Sequence, residues 1–243
     1  MTSVDFWERI YQKTEYSANV TEGYLRALQS AMSYFGDITG KTIVDLGCGA
    51  GGTSLFLARQ GANVISIDNS EAAIAKLKEN CKSAAIDNLQ AHCLSASEIR
   101  RIPDFDFIFG SMILHHVEPF PEFAQGLQAR LKVKGFFWEN NASSRLLVWF
   151  RNNIVGKFGI PKHGDNQEFP LTPAEVEELR KRFDVEIEYP EMCFWRLASG
   201  YLFKGRLAGM TTFLDDLFYR HKVLLRYSYR QYVKISVPAY PYH

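Results

Sequence analysis

Thr42-Ile43-Val44-Asp45-Leu46-Gly47-Cys48-Gly49-Ala50-Gly51-Gly52 is the stretch about which the rest of the chain is arranged. A β-branched apolar run ends in a carboxylate, Asp45, and a loop with glycine at 47, 49, 51 and 52 follows. Leu55 and Ala58 then fall at helical spacing, with Phe56 and Leu57 widening the apolar face. The pattern predicts a strand, a tight turn and a helix N-terminus. Glycine suits such a turn because a side chain would hold a ligand away from the backbone and because some turn positions need positive φ. The bared N–H groups and the positive end of the helix dipole favour an anionic or carboxylate-bearing ligand.

Gly47-x-Gly49-x-x-Gly52 also satisfies the dinucleotide fingerprint, so the glycines alone leave NAD and other nucleosides open. Asp45 discriminates between them. A carboxylate two residues before the first glycine repels a pyrophosphate but pairs with an ammonium group, which favours a ligand carrying an amino acid and an adenosine. Val44-Asp45-Leu46-Gly47-Cys48-Gly49-Ala50-Gly51 resembles the first motif of the class I S-adenosylmethionine-dependent methyltransferases. The resemblance covers about residues 41–140 and fades on either side. It implies a Rossmann-like fold, S-adenosylmethionine as cofactor and direct displacement of the methyl group by a nucleophile.

Composition agrees with an α/β domain carrying additional elements. The chain has 243 residues, 47% of them hydrophobic and 23% charged, which suits a soluble globular protein able to bury a sizeable core. A net charge of +1 excludes a polyanion binder that uses its whole surface. The charge is uneven, however: residues 196–243 hold 8 Lys/Arg against 2 Asp/Glu. The cysteines at 48, 81, 93 and 193 form no C-x-x-C pair and have no histidine at metal spacing. Reduced thiols, acidic and basic residues at Asp5, Glu8 and Arg9 and no long apolar run lead to the expectation of a cytoplasmic protein without an export signal.

Apolar runs alternate with helical patterns along the chain, and five such alternations predict a doubly wound, mainly parallel sheet with helices on both faces. The expected organisation is an N-terminal helical lid over 1–40, a cofactor-binding core over 41–142, and an inserted cap that completes the sheet over 143–243. Within residues 4–35, Phe6, Trp7, Ile10, Tyr24, Leu25, Leu28 and Met32 give a helical stripe. The family resemblance assigns Phe6, Trp7, Tyr11 and Tyr16 to a segment closing over the ligands, with Tyr16 as the chosen contact.

Asn63–Asp68 reads as a buried strand ending in an acid. Asp68 can accept both ribose hydroxyls, and Asn69 would lie beside the adenine. Ser70 is placed to cap the helix starting at Glu71. Ser95-Ala96 stands where many relatives have Asp-Ala, so Ser95 and Ala96 are expected at the adenine without the acid's charge. Phe105–Val117 reads as the fourth strand and its loop, putting Gly110 and Ser111 at the cofactor. His115 is the candidate general base, since histidine's ordinary pKa suits taking a proton at neutral pH, and His116 a candidate acceptor contact. Gly135–Glu139 reads as a fifth strand after a turn over 132–135. Asn140, Arg145 and His163 are further acceptor candidates on the following loop. Thr172-Pro173-Ala174-Glu175 carries a capping box with proline at the first helical position, and Val185–Tyr189 alternates as a strand.

From 192 to 236 aromatic and basic residues interleave, with a helix near Leu214–His221 and a closing strand at Tyr232–Val237. That composition fits a cap core with a solvated basic face, and also a surface that meets anionic lipid. No RNA-module motif is present, and no Asp/Asn-Pro-Pro-Tyr motif of the DNA type. The expected acceptor is therefore a small, largely apolar oxygen or nitrogen nucleophile. A lipid or quinone-like acceptor at a membrane, a nicotinamide oxidoreductase and a non-catalytic interaction protein are the alternatives.

Overall fold

The computed structural model describes residues 8–12, 22–143, 148–149, 153, 170–203 and 207–239. Strands β1 (Thr42–Leu46), β2 (Asn63–Asp68), β3 (Leu89–Cys93), β4 (Phe105–Ser111), β5 (Leu131–Asn140), β6 (Asp184–Glu188) and β7 (Arg230–Ser236) form one sheet. Their order is β3-β2-β1-β4-β5-β7-β6. The first five run parallel, and β7 pairs antiparallel with both β5 and β6. The expected doubly wound, mainly parallel sheet is thus observed.

Helices cover both faces. On one side lie α1 (Glu22–Phe35) and α2 (Gly52–Arg59), which bury Leu28, Phe35 and Leu57 against Phe107, Phe109 and Phe136. On the other lie α4 (Phe120–Arg130) and α5 (Pro173–Arg180), whose Phe123, Leu127 and Leu179 pack on Val44, Ile108 and Val233. Between these, α3 (Glu71–Ser83) packs Ile74 and Leu77 against Cys48. Burial on both faces explains why β1, β2 and β4 read as continuous apolar runs without alternation. The chain winds outward from β1 to β3 and restarts on β1's other side at β4. The strand ends of β1 and β4 therefore bracket a crevice at the switch point, where open α/β sheets hold ligands.

Local signals place most element ends. Ser70 accepts from the Ala73 N–H at 3.1 Å and starts α3, as expected. Thr172 and Glu175 form the predicted capping box at α5. The turn expected over 132–135 is a correction: β5 starts at Leu131, directly after α4. Leu131 is buried opposite Phe105, and Gly135 packs between Ile108 and Ile235, so the sheet extends the strand through Lys132–Lys134. Likewise the closing strand begins at Arg230 rather than Tyr232, because its ladder with β5 reaches Asn140.

Between β6 and β7 the chain forms α6 (Trp195–Phe203), α7 (Ala208–Tyr219) and α8 (Lys222–Leu225). Buried Asp215 ties two of these together, accepting from the N–H groups of Phe194, Trp195 and Arg196 at 3.1, 2.9 and 2.9 Å. It satisfies donors at the start of α6 that have no partner within the helix. The outer face of α7 exposes Met210, Phe213 and Leu217, Phe213 at 66%. Among the described residues no helix is long and apolar enough to cross a membrane.

Candidate cofactor and acceptor site

The carboxyl ends of β1, β2, β4 and β5 meet at the crevice. At its floor Asp45, 2% exposed, accepts from the Ser54 hydroxyl at 2.5 Å, and Ser66 donates in turn to Ser54 at 2.8 Å. Burial pushes the Asp45 carboxyl up to about 7, against the Ser54 bond that favours its anion. Asp68 stands at the tip of β2, one carboxylate oxygen on the N–H of Gly49 and the other on that of Ser70, both at 2.9 Å. Burial raises its pKa as well, opposed by those backbone donors. Each of its oxygens has a second lone pair for a ligand hydroxyl. Asn69 is exposed beside it.

Above these acids runs the glycine turn, with Gly47, Gly49 and Gly51 at φ 71°, 50° and 90°. A Cβ on Gly47 would fall 2.8 Å from the Ile113 side chain, and one on Gly49 would meet the Tyr11 hydroxyl. Tyr11 belongs to the helical residues 8–12. Glu8 anchors that segment, accepting from the Ser70 hydroxyl at 2.6 Å and from the Ala72 N–H at 3.3 Å. Residues 8–12 thus lie over the turn, with Tyr11 as the contact seen. Tyr16 falls outside the described residues, as do Arg145 and His163.

The other side of the crevice is built on β4 and β5. Gly110 is buried where a Cβ would strike Ile113 and Phe137, and Ser111 follows it at the strand's end. Glu139, fully buried, accepts from the N–H groups of Ile113 and Leu114 at 2.8 and 2.7 Å through one oxygen. Its other oxygen lies 2.7 Å from Nδ1 of His115, whose side chain is 4% exposed. A carboxylate only accepts, so Nδ1 is the nitrogen that carries a hydrogen, and in the neutral ring Nε2 then holds the lone pair. The His116 ring packs on that of His115 at 4.2 Å between centroids. Asn140 ends β5 and accepts from Arg230 at 2.6 Å.

Ser95 and Ala96 stand at the start of a 3-10 turn, Ala96–Arg101, beyond β3. The Ser95 hydroxyl lies 2.9 Å from that of Ser97, and its N–H donates to Glu98 at 3.1 Å. Spacing alone does not point to Glu139, Arg230 or Glu8. For Glu139 a signal existed: it ends an apolar strand run just as Asp45 and Asp68 do.

The methyltransferase domain family matches residues 43–135, from β1 to the middle of β5. That segment carries a methyltransferase domain of the class I S-adenosylmethionine-dependent type. It is 26% identical over 170 residues to the ubiquinone biosynthesis O-methyltransferase of Rickettsia bellii (strain OSU 85-389), covering 66% of this chain and 68% of that protein. To the protein of the same name from Rickettsia canadensis it is 28% identical over 168 residues, covering 66% and 69%. The fold is that of magnesium protoporphyrin IX methyltransferase from Synechocystis PCC 6803, solved with bound SAH, at a TM-score of 0.60 and 16% identity over 96% and 93% of the two chains. A SAM dependent methyltransferase from Aquifex aeolicus gives 0.58 and 16% over 95% and 98%.

The residues present fit the cofactor of this methyltransferase family. Two carboxylates with raised pKa values, Asp45 buried and Asp68 half-buried, line the crevice with no cationic partner among the described residues. A cationic amino-acid nucleoside compensates such a site, and a pyrophosphate opposes it. Among the described residues no cluster of three or more His, Cys, Asp or Glu could hold a metal ion.

Proposed function

We propose that the enzyme methylates an oxygen or nitrogen of a small, largely apolar acceptor, with a ring hydroxyl of a quinone-like molecule as the favoured case. The Glu139–His115 pair supports this reading, because a carboxylate on Nδ1 makes Nε2 the basic nitrogen of a neutral ring at the end of β4. Supporting it, the curated relatives named above are O-methyltransferases of ubiquinone biosynthesis.

Bound S-adenosylmethionine supplies a methyl group already activated by its sulfonium charge. In our reading, Asp45 with Gly47, Gly49 and Gly51 holds the amino-acid end, Asp68 the ribose, and Asn69, Ser95 and Ala96 the adenine. Gly110 and Ser111 keep the backbone of β4 close to the transferring group. His116 and Asn140 line the acceptor. Nε2 of His115 would take the hydroxyl proton as the acceptor oxygen receives the methyl group. The protein contributes mainly orientation and exclusion of water.

Incubation with isotope-labelled methyl donor and a panel of catechols and hydroquinones, read by mass spectrometry, tests the reading. Labelled methyl ethers are the expected product; absence of transfer to any hydroxylated ring would sink it. A membrane-facing variant of the same reading is supported by the apolar outer face of α7 next to Arg220, Lys222 and Arg226.

A further inference from the structure

Arg230 is a half-buried cation at the acceptor end of the sheet that the cofactor crevice does not use. It opens β7 opposite Asn140 in the antiparallel ladder with β5. Its Nη1 donates to Asn140 Oδ1 at 2.6 Å and reaches Met112 Sδ at 3.4 Å. The guanidinium carbon lies 5.2 Å from the centre of the Trp138 ring and 5.7 Å from that of Tyr229. Among the described residues no carboxylate pairs with Arg230, and none accepts from its Nε or Nη2. Lys234 on the same strand shows the contrast, since it takes Glu188 at 2.5 Å and Glu186 at 3.4 Å.

A guanidinium stripped of part of its water and left without counter-charge is costly unless a ligand provides that charge. Here Asn140, Met112 and Trp138 fix the group while the Nε/Nη2 edge stays unengaged by described residues. That edge is the planar fork that takes a carboxylate through two parallel hydrogen bonds. Met112 adds a second observation. It follows β4 at φ 54°, a left-handed conformation that a non-glycine residue rarely adopts, and its N–H donates to the Trp138 carbonyl at 2.8 Å. Backbone strain of this kind collects at ligand clamps. Along β5 the pleat alternates, turning Glu139 to His115 on one side and Trp138 and Asn140 to Arg230 on the other.

We propose that Arg230 recognises an anion on the acceptor, and that the acceptor is an aromatic carboxylate whose ring lies against Trp138. This rests on the acceptor-methylating reading above and adds to it the charge class of the substrate. A second source of the same chemistry is the carboxylate of the cofactor's own amino-acid end, and the experiment separates the two.

Calorimetry on the full chain loaded with S-adenosylhomocysteine would compare 3,4-dihydroxybenzoate with its uncharged isostere, 3,4-dihydroxybenzamide. The expected result is about tenfold tighter binding of the benzoate. In Arg230→Gln the two affinities should converge, in Arg230→Lys the preference should survive in part, and S-adenosylhomocysteine affinity should be unchanged in both. Equal binding of the two probes to the wild type, or binding of neither, overturns the proposal independently of how the variants fold. A comparable loss of S-adenosylhomocysteine affinity in Arg230→Gln, with its fold intact by circular dichroism, assigns the fork to the cofactor and also overturns it. Preference for the benzoate without methyl transfer to any hydroxylated ring would refute the O-methylation reading alone.

Discussion

Glu139 holds the His115 ring and the backbone ahead of it with one carboxylate, Oε2 lying 2.7 Å from Nδ1 and Oε1 2.8 Å from the Ile113 N–H. Exchange of Glu139 for glutamine keeps an acceptor for the backbone but turns an amide donor on Nδ1. The ring hydrogen then moves to Nε2, and the base is lost. Glu139→Gln and His115→Ala should each lower kcat by about 10²- to 10⁴-fold. Titration with S-adenosylhomocysteine should give wild-type affinity in both. Unchanged turnover in His115→Ala would remove the histidine from the chemistry.

Asp45 links pH to cofactor affinity. Its folded-state pKa of about 7 lies above the ordinary carboxyl value of 3.8, so between those values the folded chain binds a proton that the unfolded chain has released. Stability of the ligand-free protein is therefore greatest below pH 3.8, as far as this group is concerned, and falls as pH rises toward 7. Binding of the cofactor's ammonium group needs the opposite, ionised state. Affinity for S-adenosylhomocysteine should accordingly strengthen as pH rises through about 7. Asp45→Asn should flatten that dependence, weaken binding and raise the melting temperature of the ligand-free protein at pH 8.

Gly47 couples the turn to the loop after β4. An alanine there must hold φ 71° and place its Cβ 2.8 Å from Ile113, whose N–H is held by Glu139. Left-handed backbone alone costs on the order of 1–2 kcal/mol. Gly47→Ala should therefore lose both S-adenosylhomocysteine affinity and turnover, as read by calorimetry and a methyl-transfer assay.

Glu8 ties residues 8–12 to the start of α3. Its Ser70 bond, the chief cause of its lowered pKa, favours the ionised state at neutral pH. Glu8→Ala should release Tyr11 from above Gly49 and speed dissociation of S-adenosylhomocysteine severalfold in stopped flow. A rate equal to wild type would show that the segment does not retain the ligand.

Phe213 faces outward from α7 near Arg220 and Lys222. If this face meets lipid, Phe213→Asp should abolish co-sedimentation with phosphatidylglycerol vesicles while the melting temperature stays near wild type, since an exposed side chain contributes little to the core.

The sheet, its winding and the cofactor crevice were legible because strand runs, glycine turn and acids at strand ends are local patterns. Asp45, Asp68 and Ser70 stand where their spacing predicts. What spacing misses is contact between distant parts of the chain. Glu139 and His115 are 24 residues apart, and Arg230 meets Met112 across 118. The missed start of β5 has a similar cause. Lys132-Val133-Lys134-Gly135 looks like a turn in isolation, yet pairing with β4 and β7 makes it strand.

Residues 230–236 are inserted between β5 and the earlier-synthesised β6. On the ribosome, then, the donor-ligand crevice has all its strands by Asn140, while the flank of β5 waits ninety residues for its neighbour. Arg230 arrives with that neighbour. A nascent or prematurely terminated chain would have the strands that carry the glycine turn and both acids but not β7, and would present a bare strand flank for quality control to find.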